Sequence, residues 1–369
     1  MDALLIYGAY GYTGRLIARE AVAQGGSPVV AGRDGRAVAR QADALGVEGR
    51  VIDLEAADLA SHLECFDAVV NCAGPFVDTA EPLVTACLET GTDYLDITGE
   101  FPVFERLRQR DDAARKAGIT LLPGVGFDVV PSDCLAVFLA DHLPTADTLR
   151  LGIKSGGGLS RGTARTLVEH LGSGGVVRRN GRLIQVPAAF RTREIDFGDG
   201  PEHAVTIPWG DVVTAAHSTG IESIEVYAAA PPWATSGLAA VDSLGWLLER
   251  QPVERLLKRL IDARLDGPDG AQLATGSAVV WGEVTDDATG QQARARLRTP
   301  NPYALTAEAA VVAAQRMLED RARVPDGFQT PASAFGSEFV LELSGTEREL
   351  IETPDDDSSE SVRVLVESE

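Results

Sequence analysis

The chain has 369 residues, of which 44% are hydrophobic, so it is long enough for two domains with substantial cores. Asp and Glu number 55 against 33 Lys and Arg, which gives a formal net charge of −22 at pH 7. So acidic a surface repels nucleic acid and anionic lipid, which excludes both as expected partners. It suits a halophilic protein in a salt-rich cytoplasm, because salt screens the self-repulsion.

The cysteines, histidines and hydrophobic runs exclude further classes of protein. None of the four cysteines has C-x-x-C spacing, and their apolar or helical contexts predict reduced core residues. The five histidines lack metal-ligand spacing, so we expect no metal site. Met1 and Asp2 lead straight into a predicted strand, which argues against a signal peptide, and no uncharged run reaches the length of a membrane span. We therefore expect a cytoplasmic protein without stable membrane insertion.

The first predicted strand, residues 3–7, runs into a glycine-rich turn and then an alanine-rich helical pattern. At such a turn, glycines permit a tight bend, close approach of the backbone to a pyrophosphate, and tight packing of helix on strand. The spacing G-x-x-G-x-x-G is one residue off the standard dinucleotide fingerprint, and a glycine turn of any α/β protein is the alternative interpretation. We predict that this turn binds a dinucleotide through Gly8, Ala9, Tyr10, Gly11, Tyr12, Thr13 and Gly14.

The second predicted strand ends about 20 residues after the glycine turn, where a dinucleotide-binding unit contacts the adenosine ribose. An acidic residue ending this strand would favour the free 2′-hydroxyl of NAD. Here the small Gly32 is followed by Arg33, which leaves room and charge for the 2′-phosphate of NADP. The sequence therefore favours NADP over NAD. Asp34 keeps NAD open, since it could accept from a ribose hydroxyl, and a surface role is the alternative for Arg33.

Strand and helix patterns alternate through the first 140 residues, which predicts a doubly wound parallel sheet of the Rossmann type. Further strands are predicted at 50–54, 66–72, 93–97 and 119–123, and helices at 36–45, 58–63, 79–90, 102–116 and from Pro131 onwards. Gly91 is the predicted C-cap of the helix 79–90.

The pattern changes near residue 148 to short strands and hairpins, which predicts an α+β second domain with a mostly antiparallel sheet. Strands are predicted at 148–155, 203–207, 212–216, 221–229, 277–284 and 292–298, with hairpin turns at Asn180-Gly181 and Thr289-Gly290. Helices are predicted after Ser160, over 234–265, and from Thr306, as N-cap, to Asp320. In the acidic C-terminal stretch, 339–343 and 362–366 look like strands.

These patterns divide the chain into four parts. Residues 1–147 form the predicted dinucleotide-binding domain, and 148–300 the second domain, for substrate binding or dimerisation. Residues 301–336 form a helix that we place back against the first domain, and 337–369 an acidic C-terminal extension.

Ligands of an open parallel sheet bind outside the carboxyl ends of its strands. After the fourth strand, Ala73, Gly74 and Pro75 are small enough to let the nicotinamide half of a dinucleotide lie against the backbone. Glu100 and Asp128 are the carboxylates best placed to supply a proton. Helix capping is the alternative for both.

Other polar residues are weaker candidates. Lys154, one of three lysines, could hold a substrate carboxylate or protonate a carbanion, although a surface role is the simpler interpretation. Asp96 alternates with apolar neighbours, so a role at the strand end competes with chemistry. Ser160 and Thr163 open a helix and form an anion-binding arrangement in principle, and His217 could donate a proton.

With these residues placed, the chain resembles the saccharopine dehydrogenase-like oxidoreductases, especially the trans-acting enoyl reductases. The resemblance covers about residues 1–336 and rests on five motifs in order: 7–15, 31–33, 71–76, 94–100 and 126–133. Later echoes occur at 160–163 and 330–332. It implies a nicotinamide-dinucleotide domain followed by an α+β domain, with the active site in the cleft between them. The Gly126-Phe127-Asp128 loop departs from the Gly-Asp-Pro-Gly type turn of saccharopine reductases proper, which puts a saccharopine substrate in doubt.

The resulting hypothesis is an NADP-dependent oxidoreductase that transfers hydride to a small or lipid-like substrate, with an enoyl C=C bond as the leading substrate class. A saccharopine- or opine-type imine or carbonyl reductase is one alternative. A non-catalytic dinucleotide-binding protein is the other, because no recognised catalytic dyad stands out. The sequence leaves a homodimer open.

Overall fold

The structure, a computed structural model, describes residues 4–156, 174–232 and 270–353. The chain divides into two compact units. Residues up to Val130 and Pro302–Gly336 make up the first, and Pro131–Asn301 with the residues from Ser337 onwards make up the second. The boundary falls at the first residue of the helix Val130–His142, whereas the sequence-based division at 147/148 follows that helix.

The described strands are, in chain order, β1 (Leu4–Tyr7), β2 (Val29–Gly32), β3 (Gly49–Val51), β4 (Ala68–Asn71), β5 (Asp93–Asp96), β6 (Thr120–Leu122), β7 (Thr148–Ser155), β8 (Gly175–Arg179), β9 (Arg182–Val186), β10 (Thr192–Asp196), β11 (Pro201–Thr206), β12 (Ser223–Ala229), β13 (Ser277–Thr285), β14 (Gln292–Pro300), β15 (Gly327–Phe328) and β16 (Glu347–Glu352). The described helices are α1 (Tyr12–Ala23), α2 (Gly35–Leu45), α3 (Phe76–Thr90), α4 (Phe101–Arg108), α5 (Asp111–Ala117), α6 (Val130–His142), α7 (Asp211–Thr219), α8 (Gly270–Thr275), α9 (Pro302–Glu319) and α10 (Pro331–Phe335). No helix in these described ranges is both long and apolar enough to span a bilayer.

The first unit contains a parallel sheet in the order β15-β6-β5-β4-β1-β2-β3. Strands β1, β2 and β4 are buried along their whole length, as expected where both faces of a parallel sheet are covered. The predicted doubly wound parallel sheet is confirmed. Its strand ends bring the loops after β1, β4, β5 and β6 to one edge, which is where a ligand binds in this architecture.

Helix α9 belongs to the first unit and packs against α1. It begins at Pro302, a favoured first residue because proline has no N–H to leave unsatisfied. The prediction that Thr306 caps this helix is therefore wrong. Thr306 lies inside the helix, where its hydroxyl donates to the Pro302 carbonyl at 2.7 Å and accepts from the Phe127 N–H at 2.9 Å.

The second unit contains a mixed sheet in the order β10-β11-β12-β7-β13-β14-β16, with the β8–β9 hairpin attached to β12. Only the β12–β7 pair is parallel among the described pairings, so the predicted mostly antiparallel sheet is confirmed. Asn180 and Gly181 both have positive φ, at 48° and 74°, and close the β8–β9 hairpin as predicted. The predicted turn at Gly290 joins β13 to β14.

Several predicted elements differ in the structure. Residues 212–216 lie in α7 rather than in a strand, because a short apolar run does not distinguish the two and Gly220 ends a helix here with φ 74°. The single helix predicted over 102–116 is broken into α4 and α5, which end and begin on either side of residues 109–110. The segment Phe339–Glu342 forms a 3-10 turn, not a strand.

Strand β16 has no counterpart in the sequence prediction, because its sequence is charged rather than apolar. It pairs with β14 so that Glu349 lies beside Arg296 and Glu352 beside Arg294. Opposite charges on facing strands stabilise such a pairing. The predicted helices after Ser160 and over 234–265, and the predicted strand 362–366, lie outside the described residues.

The cysteines were predicted to be core residues, and this holds for Cys87 and Cys134. Cys72 is partly buried, whereas Cys65 is exposed, which contradicts the prediction. Cys65 follows the 3-10 turn Leu59–His62 at the surface of the protein. Its sulfur accepts a hydrogen bond from the Arg50 guanidinium at 3.0 Å.

Candidate functional site

The glycine turn after β1 has a distinct steric reason for two of its glycines. Gly8 has φ 76°, and a Cβ there would lie 2.8 Å from both the backbone nitrogen and the Cβ of Ala73. A Cβ on Gly14 would lie 2.4 Å from the Gly8 carbonyl oxygen. Gly8 therefore lets the loops after β1 and β4 touch, and Gly14 lets α1 pack onto the turn.

Gly11 is different, because a single protein atom limits the space for a side chain there. Its φ is −65°, and the nearest atom to an added Cβ is the Gly8 carbonyl oxygen at 3.3 Å. Gly11 is also the N-cap of α1, and no side chain caps this helix end. A helix N-terminus without a side-chain cap and with a glycine beside it is suited to a pyrophosphate.

The end of β2 is shaped by the ring of Tyr10. A Cβ on Gly32 would lie 2.4 Å from Cε1 of Tyr10, so the ring occupies the space that a side chain at this strand end would take. The Asp34 carboxylate accepts from the N–H groups of Arg36 and Ala37 at 3.0 and 3.1 Å and caps α2. Arg33 is exposed. The chain thus offers a cation rather than a carboxylate beside the ribose position.

The loop after β4 contains the predicted residues Ala73, Gly74 and Pro75. The side chain of Asn71, the last residue of β4, holds this loop through hydrogen bonds. The Asn71 amide oxygen accepts from the Ala73 N–H at 3.0 Å, and its amide nitrogen donates to the Thr79 hydroxyl at 3.1 Å. The peptide bond between Gly74 and Pro75 is cis. Gly74 is exposed, so a ligand can reach its backbone.

Glu100 lies at this edge but is engaged in structure. Its two carboxylate oxygens accept from the backbone N–H groups of Phe76 and Val77, each at 3.0 Å. These are the first amides of α3, so Glu100 caps that helix from another loop. Its residue is only 7% exposed. The geometry favours the capping alternative over proton donation.

Asp128 lies close to the same loop. A Cβ on Gly99 would lie 2.7 Å from the Asp128 carboxylate oxygen, so the two loops after β5 and β6 are in contact through this residue. Burial raises the pKa of the Asp128 carboxyl to about 6. Its residue nonetheless keeps some exposure. A carboxyl with these properties exchanges protons near neutral pH.

Asp96 is fully buried at the end of β5. One carboxylate oxygen accepts from the N–H groups of Thr98 and Gly124, each at 3.0 Å, and the other accepts from the Tyr94 hydroxyl at 2.9 Å. Burial raises the pKa of Asp96 to about 7, although these hydrogen bonds oppose the rise. The role at the strand end that the sequence left open is the one that this geometry supports.

The remaining candidates lie elsewhere. Lys154 belongs to the second unit, where its ammonium is ion-paired with Glu202 and lies 3.5 Å from Asp199. These two carboxylates raise its pKa, the hydrogen bond to Glu202 contributing most. His217 lies in α7 and not at a strand end. Ser160 and Thr163 lie outside the described residues.

Sequence reasoning missed Asn71 and Tyr94 as parts of the site. Both are fully buried polar side chains, Asn71 at the end of the otherwise apolar β4 and Tyr94 within β5. A polar residue within such a strand was the available signal, since a buried polar group needs a partner. In the described ranges, no group of three or more His, Cys, Asp or Glu residues could hold a metal ion.

Comparison with known proteins finds a family match within the first unit. The saccharopine dehydrogenase NADP binding domain family matches residues 4–122. A Mycobacterium tuberculosis protein named as a trans-acting enoyl reductase is 34% identical over 185 residues, which cover 46% of this chain and 44% of that protein. A saccharopine dehydrogenase-like oxidoreductase of Bos taurus is 31% identical over 162 residues, covering 38% of each chain. The chain thus matches less than half the length of these relatives.

The fold extends beyond the matched sequence. The apo form of saccharopine dehydrogenase (L-Glu forming) from Saccharomyces cerevisiae superposes with a TM-score of 0.65 and 13% identity, over 95% of this chain and 99% of that chain. At this identity the likeness shows the fold alone. The predicted family and the predicted preference for an NADP-type domain agree with these matches. Residues 4–122 match the saccharopine dehydrogenase NADP binding domain family, and the chain is similar over part of its length to saccharopine dehydrogenase-like oxidoreductases.

Proposed function

We propose that the protein is an NADP-dependent oxidoreductase that reduces a small or lipid-like substrate. The observation that carries this is Gly11, beside a helix N-terminus that no side chain caps, where an added Cβ would approach the Gly8 carbonyl oxygen to 3.3 Å. A glycine at this position lets a pyrophosphate come close to the backbone N–H groups of the turn. Gly8–Gly14 would hold the pyrophosphate, and the exposed backbone around Gly74 would face the nicotinamide half. When bound, NADPH supplies the hydride.

The preference for NADP over NAD is supported by three neighbours at the end of β2. Tyr10 fills the position of a side chain on Gly32, Asp34 is engaged as a helix cap, and Arg33 remains exposed. A guanidinium suits a 2′-phosphate because it forms charge-assisted hydrogen bonds. NAD stays the alternative through Asp34, at the cost of its cap.

Replacing Arg33 tests this preference. We expect Arg33→Ala to weaken NADPH binding by about 1.5–3 kcal/mol, on the order of tenfold or more, and to leave NADH binding unchanged. Fluorescence titration with both cofactors measures it. Arg36→Ala, which removes another exposed guanidinium on α2, is the matched control and should change neither affinity. Equal affinities of the wild type for NADPH and NADH would contradict the assignment.

For the substrate we propose an activated C=C bond, such as an enoyl thioester. The relatives named as trans-acting enoyl reductases support this class. Lys154, the candidate for holding a substrate carboxylate or protonating a carbanion, is ion-paired within the second unit, so it favours neither substrate class. The non-catalytic alternative predicts NADPH binding without turnover. The homodimer, the cytoplasmic location and the salt-rich setting stay predictions from the sequence.

Asp128 is our proposed proton donor for the carbon that does not receive the hydride. A general acid works only when protonated, so kcat should fall as the pH rises through the pKa of Asp128, about 6. We expect Asp128→Asn to lower kcat by about 10²–10⁴-fold and to abolish this pH dependence. The measurement is NADPH oxidation with an enoyl thioester and, separately, with an imine. An unchanged pH profile in Asp128→Asn would exclude Asp128, and turnover of the imine alone would favour the opine-type alternative.

A further inference from the structure

A buried chain of hydrogen bonds runs beneath the candidate site. The Asn71 amide nitrogen donates to the Tyr94 hydroxyl at 3.2 Å, and that hydroxyl donates to the Asp96 carboxylate at 2.9 Å. All three side chains are fully buried. This series of hydrogen bonds therefore runs from the end of β4 to the end of β5 without access to solvent.

Each end of this chain holds a loop that faces the site. At one end, the Asn71 amide oxygen accepts from the Ala73 N–H at 3.0 Å. At the other, the second oxygen of Asp96 accepts from the N–H groups of Thr98 and Gly124, each at 3.0 Å. The loops after β4, β5 and β6 are thus tied to one carboxylate.

The donors that converge on that carboxylate favour its ionised form. Asp96 accepts three hydrogen bonds and is the last acceptor of the series. Asn71 donates to the Tyr94 hydroxyl, which donates to Asp96. A proton on the oxygen facing Tyr94 would make Asp96 a donor to that hydroxyl. The Tyr94 proton would then lose its buried acceptor, which is costly.

We propose that Asp96 is a positioning residue for the cofactor: acting through Tyr94 and Asn71, it fixes the Ala73–Pro75 loop against which the nicotinamide half of NADP lies. The inference rests on the proposed NADP function. It assigns Asp96 no contact with the cofactor. The effect of Asp96 should therefore fall on the nicotinamide half and spare the adenosine half.

The titratable groups that interact with Asp96 are Tyr94 on its own strand, Cys72 after β4 and Glu100 in the following loop. Burial raises the pKa values of Tyr94 and Cys72, so both stay neutral at neutral pH. Burial also raises the pKa of Asp96, to about 7, and the negative charge of Glu100 contributes to the rise. NADPH binding should therefore weaken as the pH falls through about 7.

The test compares NADPH with adenosine 2′,5′-bisphosphate, which lacks the nicotinamide half, on the full chain and across this pH range. In the wild type, the Kd for NADPH divided by the Kd for the bisphosphate should rise towards low pH. Asp96→Asn imitates the protonated carboxyl at every pH. We expect it to raise the Kd for NADPH about tenfold above neutral pH, to leave the bisphosphate Kd unchanged, and to remove the pH dependence of the ratio.

Asp93→Asn is the matched control, because Asp93 is a buried carboxylate at the other end of the same strand, bound to the Thr120 N–H and Arg321. It should leave the ratio unchanged. If Asp96→Asn fails to fold, Tyr94→Phe breaks the same chain while keeping the ring, and it should raise the ratio. An unchanged ratio, or equal weakening of both ligands, overturns the inference. If the wild type binds neither ligand, the proposed function itself fails.

Discussion

Gly11→Val should abolish NADPH binding while the protein stays folded. Gly11 has φ −65°, which valine adopts readily, and an added Cβ meets only the Gly8 carbonyl oxygen, at 3.3 Å. The cost to folding is therefore about 1 kcal/mol, as for other unfavourable N-cap residues. A pyrophosphate on this turn would collide with the side chain, so we expect the affinity to fall at least about a hundredfold. Circular dichroism melting and NADPH fluorescence titration measure the two effects.

Gly14→Ala is the control that separates the ligand from the fold. A Cβ there lies 2.4 Å from the Gly8 carbonyl oxygen and 3.0 Å from the Cα of Ala9, so the clash is with the protein's own backbone. We expect this smaller substitution to lower stability by about 1–3 kcal/mol. A Gly11→Val protein that melts normally and binds NADPH normally would refute the cofactor site and the oxidoreductase proposal with it.

Glu283→Gln should destabilise the second unit by about 3 kcal/mol at neutral pH, because it removes the buried negative charge that three guanidiniums share. The Glu283 side chain is 3% exposed and lies 2.7 Å from both Arg193 and Arg294, and 3.1 Å from Arg150. Arg193 also stacks on Trp281, with the guanidinium carbon 5.0 Å from the ring centroid. All four tryptophans fall within residues 131–301, so tryptophan fluorescence during chemical denaturation reports this unit.

The dependence of this loss on pH gives it a sharper test. Burial opposes ionisation, but the hydrogen bonds and charges of Arg193 and Arg294 outweigh it and lower the pKa of Glu283 below its ordinary 4.5. A lowered pKa in the folded state gives stability that is present above pH 4.5 and is lost as the pH falls through the folded value. The difference between wild type and Glu283→Gln should therefore shrink in acid.

Glu352→Gln is the matched control for that pair of measurements. Glu352 also bonds to Arg294, at 2.6 Å, but its side chain is 28% exposed. An ion pair so open to water contributes about 0.2–1 kcal/mol. Equal losses in the two variants would show that the burial of Glu283 has no special weight.

The sequence by itself determined the architecture of the first unit. Hydrophobic runs such as Leu4–Tyr7 and Ala68–Asn71, regularly spaced by helical patterns, predicted parallel strands covered on both faces, and both runs are buried strands in the structure. Glycine spacing marked the turn after β1, and the hairpins at Asn180-Gly181 and Thr289-Gly290 followed from turn chemistry. These features are local, so a single stretch of residues carries each one.

Other elements were decided by their neighbours in space. Strand β16 is charged and reads as exposed coil, yet the arginines of β14 pair with its glutamates and make it a strand. Residues 212–216 have an apolar run of ambiguous type, and packing made it a helix. A sequence pattern describes the residues of a segment but not the spatial neighbours that stabilise its structure.

The roles of the polar side chains were likewise decided only by the tertiary structure. The sequence placed Glu100, Asp128 and Asp96 at strand ends but could not rank them. In the fold, Glu100 caps α3 with both oxygens, and Asp96 ties three loops together. Asp128 is a partly exposed residue, and burial raises the pKa of its carboxyl to about 6. A carboxylate's function depends on which donors reach it and how much water remains, and contacts over 23–28 residues of chain separation set both.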